Sequence, residues 1–451
     1  MIKSLIHSFA VCPDMQKEYP KISFGKGVYL YDEQGKKYLD ASAGSCAVSN
    51  IGHGREDIKQ VIQDQLDKVA VLPTHAFSNS TVESYMEKLA KFPIGGFAKA
   101  WTAMSGTEAV ENAVKLAFQY HKVKGNTTRY KIITRSFSYH GNSIFMLDIG
   151  GIESRRKMYS SWMKNFPHIS AAYSYRKEAS LTEEAYTDFL VSEFETCILK
   201  ENPNTITAFV AEPVVGAALG AAVPPKNYFK KIKNICEKYD IVFIADEVLS
   251  GFGRTGKNFG FENFDVVPDI LALGKGISGG YFPLSAVVAS EKIVAPLVKE
   301  NSAFLGGHTF SCNPLGAAVG SKVIDIFKEE QLSQNSNEMG KLLRAGLQKL
   351  SQKHEIIGDV RGLGLQCGIE LVKNRNTKEA FPAALNLSRK IGDISLQNGV
   401  VLYPGKGSVD GVQGDHILIS PPLTINQNHV HEILASIEYS IEKAMANITT
   451  K

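Results

Sequence analysis

Short apolar runs, each bounded by turn residues, recur through the middle of the chain. They are rich in Val, Ile and Ala, so they predict buried parallel strands. Between these runs, apolar residues recur at the spacing of a helix, for example from Tyr228 to Tyr239, a segment that ends at the polar Asp240. This alternation predicts an open, mostly parallel α/β sheet. The predicted strands span residues 131–134, 206–211, 241–245, 270–273 and 285–289.

The two ends of the chain follow a different pattern. Near the start, VYLYDEQGKKYLD holds two strand-like runs around Gln34 and Gly35, which predicts a hairpin. After about residue 335 come a long polar helix, GLGLQCGIEL, a helix over 382–397, HILISPPL and a last helix over 429–444. We expect a smaller α+β domain assembled from residues 1–65 and 336–451, beside a large domain of residues 66–335.

Composition and charge narrow the class of protein. A chain of 451 residues predicts about two or three structural units. The formal charge is +4, and its 50 basic and 46 acidic residues are interspersed, so nucleic acid is not the predicted partner. No apolar run approaches the roughly 20 residues of a membrane span, and polar residues interrupt the opening segment, so we expect no signal peptide. The six cysteines form no Cys-x-x-Cys pair, which predicts reduced thiols, no zinc site and a cytoplasmic protein.

One predicted strand ends in two acids, Asp246 and Glu247, within IVFIADEVLSGFGRTG. Ligands of open α/β sheets bind beyond the carboxyl ends of the strands, which places Asp246 near a ligand. A carboxylate that caps the following loop is an equal alternative. The next predicted strand, DILALGK, ends in Lys275 inside the glycine-rich turn GKGISGG. Alone, such a lysine is more typical of a solvated surface.

An acid and a lysine on successive strand ends suit a pyridine aldehyde, whose carbonyl forms an imine with the lysine amine while the acid keeps the ring nitrogen protonated. The phosphate of such a cofactor needs a helix N-terminus. Ser105, Gly106 and Thr107 precede a helical period and offer one. The alternative is an ordinary serine cap with Glu108 in the first turn.

Eight motifs follow one another in a specific order, and together they span nearly the whole chain. They are YDEQGKKYLD, SGTEAVENAVKLA, FSYHG, AEPVVG, ADEVLSGFGRTG, LGKGISGGYFPLSA, GHTFSCNP and RGLGLQCGIEL. This order resembles the class III aminotransferases, the fold-type I pyridoxal-phosphate family that includes ornithine, GABA and diaminopelargonate aminotransferases. The resemblance implies a large domain with a mostly parallel seven-stranded sheet flanked by helices, a smaller α+β domain, and pyridoxal 5'-phosphate as cofactor.

The same resemblance implies a role for each matching residue. Lys275 would form the imine with the cofactor and Asp246 would pair with the ring nitrogen, so these two are the expected catalytic residues. Thr309 of GHTF would reach the phosphate of the neighbouring subunit's cofactor, which implies a homodimer with shared active sites. The other expected cofactor-binding residues are Ser105, Gly106 and Thr107 at the phosphate, Tyr139 and Val248 on the two ring faces, His140 beside them, and Glu212, which would order the site.

The chain departs from the family pattern where many members carry a carboxylate-binding arginine. No arginine lies between Val401 and Leu423. Lys406 and His416 are candidates, although both fit the surface of a polar loop better, and Arg361 fits a structural role better. The missing arginine argues against ornithine and GABA chemistry and favours an ω-amine donor. Residues 45–47 and 75–77 would line the substrate side or simply pack.

The expected reaction is the transfer of an amino group from an ω-amine or amino acid to a 2-oxo acid such as pyruvate, by a ping-pong mechanism. Aminomutase or decarboxylase chemistry uses the same cofactor and lysine, so the sequence leaves both open. GFGRTG also fits a dinucleotide motif, but no helix is predicted directly after its glycines. A relative without catalytic activity is less expected, because Tyr139, Asp246 and Lys275 are all present.

Overall fold

The computed structural model describes residues 18–449. The expectation of no signal peptide, the opening part of the predicted N-terminal unit, and Cys12 fall on residues outside that range. The strands are β1 (Ile22–Lys26), β2 (Tyr29–Asp32), β3 (Lys37–Leu39), β4 (Phe97–Ala103), β5 (Lys131–Arg135), β6 (His168–Ile169), β7 (Ile206–Ala211), β8 (Val242–Asp246), β9 (Ile270–Leu273), β10 (Ser285–Ser290), β11 (Ile357–Leu363), β12 (Gln366–Leu371), β13 (Tyr403–Lys406) and β14 (Asp415–Ile419). The helices are α1 (Glu56–Leu66), α2 (Ser80–Lys91), α3 (Gly106–Val123), α4 (Ile144–Ile149), α5 (Glu153–Arg156), α6 (Glu183–Glu201), α7 (Tyr228–Lys238), α8 (Glu291–Lys299), α9 (Pro314–Glu329), α10 (Leu332–Lys353), α11 (Leu387–Gln397) and α12 (Gln427–Thr449).

A seven-stranded sheet forms the centre of the molecule, in the order β4-β10-β9-β8-β7-β5-β6. The pairs β5/β6, β5/β7, β7/β8 and β8/β9 are parallel, which confirms the mostly parallel sheet. The prediction of a parallel strand over 285–289 is wrong, because β10 runs antiparallel to both β9 and β4. Only residues 274–284 separate β9 from β10, and a return to parallel orientation needs a crossover of about a dozen or more residues, usually a helix.

Helices cover both faces of this sheet, so its central strands are largely apolar on both faces. Side chains alternate between the faces of a strand. Val210 and Ile244 pack with α3 on one face, while their neighbours Phe209 and Phe243 pack with α6 and α7 on the other. This double burial explains why the strand sequences are continuous apolar runs instead of alternating ones.

The two ends of the chain meet beside this sheet. The hairpin β2/β3 forms at the predicted turn, where Gly35 has a φ of 81°. The N–H of Leu39 donates to Gly399 O at 2.8 Å, and the N–H of Val401 donates to Leu39 O at 2.9 Å. Strands β11-β12-β14-β13 form a separate antiparallel sheet. The predicted helix over 382–397 starts only at Leu387, because a short 3-10 turn and Asn386, whose φ is 50°, precede it.

None of the helices within residues 18–449 combines the length and apolar character that a membrane crossing requires.

Candidate active site

The residues singled out by the motifs come together at the carboxyl edge of the large sheet. Asp246 is the last residue of β8, and Lys275 follows β9. Because β8 and β9 are parallel neighbours, with Asp246 opposite Ala272, both side chains emerge at the same edge. Tyr139 and His140 follow β5, and Glu212 follows β7. All five line one cavity of about 560 Å³, a volume typical of sites for small molecules.

Asp246 is buried and held through both carboxylate oxygens. The ring of His140 lies with Nδ1 2.7 Å from Oδ2, and the N–H of Val248 donates to Oδ1 at 3.1 Å. An ionised carboxylate only accepts hydrogen bonds, so Nδ1 of His140 is the donor. These two bonds fix the plane of the Asp246 carboxylate where it lines the cavity.

A second buried carboxylate, Glu212, supports the loop that carries Tyr139. One of its oxygens accepts from the N–H of Tyr139 at 3.0 Å and the other from the N–H of Gly216 at 2.8 Å. Burial raises the pKa of Glu212, and the nearby charge of Asp246 raises it further, while His140 and the two N–H groups oppose the rise. Glu212 thus orders the backbone around the cavity.

The N-terminus of α3 forms another wall. Ser105 and Glu108 make a capping box, in which the Ser105 hydroxyl accepts from the N–H of Glu108 and the Glu108 carboxylate accepts from the N–H of Ser105. The serine cap expected as the alternative is therefore present, and Ser105 is exposed. Gly106 and Thr107 line the cavity instead. A β-carbon at position 106 would lie 2.7 Å from Val248 Cγ1, so only glycine lets this helix approach so closely.

Lys275 adopts a left-handed backbone conformation, with a φ of 46°. This conformation is uncommon for a residue with a β-carbon and costs about 1 kcal/mol or more. Cys46, on the facing wall, is also unusual, with a φ of 140°. Strained positions of this kind concentrate at functional sites, where the surrounding structure holds them.

The predicted substrate-side residues are only partly found at the cavity. Ser45 and Cys46 line it, whereas Ala47 packs behind the wall against Leu249 and Leu418. Burial raises the pKa of the Cys46 thiol, which favours its neutral form. Residues 75–77 are exposed and are not among the residues that line this cavity. Thr309 also lies outside it, exposed in the segment that precedes α9.

The candidates for carboxylate binding differ in their surroundings. Lys406, at the end of β13, lines the cavity. His416 is not a loop residue as expected, but is buried in β14 with Nε2 2.8 Å from Ala217 O. Arg361 is structural, as favoured, because it donates to Leu219 O at 2.6 Å and lies 3.0 Å from Glu370.

Two further predictions concern the segment after Asp246. The adjacent Glu247 is buried and structural, since it accepts from Ser250 at 2.6 Å and from the N–H groups of Gly260 and Phe261. Residues 251–256 form turns instead of the start of a helix. Arg254 of this segment is buried and donates to Leu365 O and Pro421 O. GFGRTG is therefore no dinucleotide motif.

Sequence reasoning missed several residues of the outer cavity wall, among them Phe137, Ile152, Arg155 and Tyr403. They lie in loops, in the four-residue helix α5 and at the start of β13. No periodicity or motif marks these positions. The adjacent arginines 155 and 156, which follow FSYHG, are the one feature of the sequence that indicates a cation at this wall.

The cavity fits pyridoxal phosphate in three respects. His140 Nε2 is buried and without a hydrogen-bond partner among the described residues, so His140 has capacity left for a ligand. Within residues 18–449, no backbone hydrogen bond uses the N–H groups of Gly106 and Thr107. These free donors and the helix dipole favour an anion. Lys275 supplies an amine beside them, and Asp246 supplies a fixed charge for a protonated ring nitrogen.

Known proteins of the same fold give the family. The sequence model of the class III aminotransferases matches residues 14–441. The uncharacterized aminotransferase YodT of Bacillus subtilis is 34% identical over 441 residues, which cover 98% of this chain and 99% of that protein. A transaminase from the marine bacterium Virgibacillus superposes with a TM-score of 0.90 at 35% identity and covers 99% of this chain and 98% of its own. The omega transaminase from Pseudomonas jessenii, in complex with PMP, superposes with a TM-score of 0.89 at 31% identity, over 95% of this chain and 93% of its own. As its ordered motifs predict, the chain belongs to the class III aminotransferases.

Proposed function

We propose that the protein uses pyridoxal 5'-phosphate to move an amino group from an ω-amine or amino acid donor to a 2-oxo acid such as pyruvate, by a ping-pong mechanism. One observation carries the proposal. Lys275 and Asp246 emerge from neighbouring parallel strands into a single cavity, which Gly106 and Thr107 at the start of α3 also line. An amine, a fixed negative charge and an anion site are the three features that this cofactor requires.

The residues of the cavity divide these tasks. Gly106 and Thr107 would hold the phosphate, with Ser105 keeping the helix end in place through its cap. Tyr139 would stack on one face of the ring and Val248 would pack on the other. Glu212 would act indirectly, because its carboxylate accepts a hydrogen bond from the backbone N–H of Tyr139.

Asp246 and Lys275 would carry the chemistry. When bound, the cofactor supplies an aldehyde for the donor amine and a ring that accepts electrons from the substrate carbon. Asp246, oriented by His140 at 2.7 Å, would keep the proton on the ring nitrogen by charge attraction. Lys275 Nζ would first act as a general base and take a proton from the substrate carbon. It would then act as a general acid and return that proton to a second carbon. The apolar side chains of the lining, among them Val248 and Leu249, would help exclude water from that transfer.

The proposal also covers the subunit assembly, the domains and the location of the protein. Thr309 is exposed and outside this chain's own cavity, which suits a role at the phosphate in a second copy of the chain. We propose a homodimer in which the partner's Thr309 completes each site. The proposal includes two domains, a small one of residues 1–65 and 336–451 and a large one of residues 66–335. It also includes a cytoplasmic location, which the free thiols of the described cysteines suit.

Half-reaction spectroscopy tests the function. The holoenzyme is mixed with single ω-amines or amino acids, without any acceptor, and the visible absorbance of the cofactor and the carbonyl product are recorded. Loss of the visible band with one carbonyl formed per site, followed by recovery of the band on adding pyruvate, is the expected result. Release of carbon dioxide would instead support a decarboxylase. An isomeric amine product without any carbonyl would support an aminomutase.

A further inference from the structure

One arginine lines the cavity without a role in the proposed chemistry. Arg155, in the short helix α5, is the only arginine among the described residues that line this cavity. Its guanidinium carbon lies 4.8 Å from the centroid of the Tyr139 ring. A planar guanidinium stacks well on an aromatic face, which holds the group in one orientation. Tyr139 therefore favours one position of this exposed cation at the rim of the cavity.

The hydrogen-bond donors of Arg155 are unused. Within residues 18–449, neither a hydrogen bond nor an ion pair engages its side chain. The adjacent Arg156 is different, because it lies 3.8 Å from both Asp148 and Glu153, is mostly buried and does not line the cavity. Stacking on Tyr139 occupies only the flat face of a guanidinium, so the N–H groups at its edge stay available.

The side chain of Arg155 is exposed, whereas the buried arginines Arg361 and Arg254 are already bound to protein groups. Arg361 bonds to the carbonyls of Leu219 and Gly220 and to carboxylates. Arg254 bonds to two carbonyls and to Asn50. Moving either side chain towards a ligand would leave buried carbonyls without partners, which costs about 1–3 kcal/mol for each group. Arg155 is free of that cost.

The opposite wall of the cavity lies within electrostatic reach of Arg155. Burial raises the pKa of Tyr403, at the start of β13, and the positive charge of Arg155 opposes the rise. Lys406, at the other end of the same strand, adds a second cation to the cavity lining. Lysine is a strongly hydrated point charge, whereas the guanidinium fork matches the two oxygens of a carboxylate. A carboxylate between these walls would meet Arg155 as its specific partner.

We propose that Arg155 binds the carboxylate of the substrate through a bidentate ion pair, with Tyr139 holding the guanidinium plane and Lys406 attracting the anion at longer range. The inference deepens the proposed function and rests on it, since a 2-oxo acid acceptor such as pyruvate carries this carboxylate. Arg155 of α5 would thus bind the substrate carboxylate, a role for which the chain has no arginine between Val401 and Leu423.

Ligand binding without turnover tests the proposal. The holoenzyme is titrated calorimetrically with butanoate, a carboxylate without an amine or a carbonyl, and with butanamide, its uncharged analogue. The wild-type protein should bind butanoate about 10-fold more tightly or better. Arg155→Gln should abolish that preference, and Arg155→Lys should keep only part of it, because the fork is lost. Arg156→Gln, the matched control, should keep the preference in full.

Three results would overturn the proposal. They are wild-type affinity for butanoate in Arg155→Gln, an equal loss of butanoate and butanamide affinity in that variant, and no preference for butanoate in the wild type. The second result would make Arg155 a positioning residue for Tyr139. Circular dichroism of each variant excludes unfolding as the cause. Because no amino transfer is measured, a protein that prefers butanoate through Arg155 but fails the half-reaction would refute the proposed function and leave this assignment standing.

Discussion

The inner and outer halves of the cavity are built in different ways. The inner half consists of Asp246, Lys275 and Glu212, which lie at the end of a strand of the large sheet or within two residues after one. His140 and Val248 hold Asp246 at 2.7 and 3.1 Å. The outer half comes from loops, from α5 and from β13 of the other sheet. Topology therefore sets the inner half and loop sequence sets the outer half, so we expect the chemistry to depend on the first and the choice of substrate on the second.

The largest effect should come from Lys275→Ala. Without its amine, no side chain at this position can bind the cofactor covalently or move the substrate proton, so turnover should fall by about 10³-fold or more. The visible absorbance of the holoenzyme should disappear with it. Steady-state rates and spectra provide the measurement, and Lys257→Ala, which changes an exposed lysine, is the control. Near-normal turnover in Lys275→Ala would show that the inner half of the cavity does not carry out the chemistry.

Two adjacent acids make a sharper comparison. Asp246→Asn keeps the shape and removes the charge that would hold the ring nitrogen protonated, so kcat should fall by about 10²-fold or more. Glu247→Gln should leave kcat within a few-fold, because Glu247 bonds to Ser250 and to backbone N–H groups away from the cavity. Kinetics of both variants at equal cofactor saturation decide the matter. Similar losses of kcat in the two variants would contradict the distinction.

His416 lies behind the outer wall, and it should affect stability instead of activity. Burial, together with the charge of Arg361, lowers the pKa of His416 from its ordinary 6.5 to about 4. The neutral form is therefore favoured in the folded state, and stability present above pH 6.5 is lost as the pH falls towards 4. Between pH 7 and 5 this loss amounts to about 2 kcal/mol.

The variant His416→Gln tests that pH dependence. Its amide can still donate to Ala217 O but does not titrate, so the fall in unfolding free energy from pH 7 to 5 should shrink by about 2 kcal/mol. Denaturant unfolding at the two pH values measures it. His121, whose pKa burial also lowers to about 4, is unchanged in the variant and contributes to the slope that persists. An identical fall in both proteins would refute the role of His416.

The smallest effect concerns the contribution expected from a second subunit. Thr309→Ala removes one hydroxyl and should weaken cofactor affinity by about 5-fold, the effect of a neutral hydrogen bond. Equilibrium titration of the apoenzyme with pyridoxal phosphate measures the affinity, and Ser302→Ala, nearby in sequence, serves as the control. Unchanged affinity in a protein that sediments as a dimer would contradict a shared phosphate site.

The inner half could be predicted from the sequence because apolar runs locate strand ends, and parallel strands bring their ends to one edge. That logic placed Asp246 and Lys275 together, but it failed for β10, since a strand buried on both faces has the same composition in either direction. It also missed Arg155 and misjudged His416, because the loops and the second sheet that position them leave no periodic signal.

The most direct test of the whole account is chemical. The holoenzyme is reduced with borohydride, which makes an imine between a lysine and pyridoxal phosphate permanent, and its peptides are analysed by mass spectrometry. The phosphopyridoxyl group should be found on the peptide that contains Lys275, in stoichiometric amount. A modification on another lysine, with Lys275 unmodified, would contradict the assignment of the site.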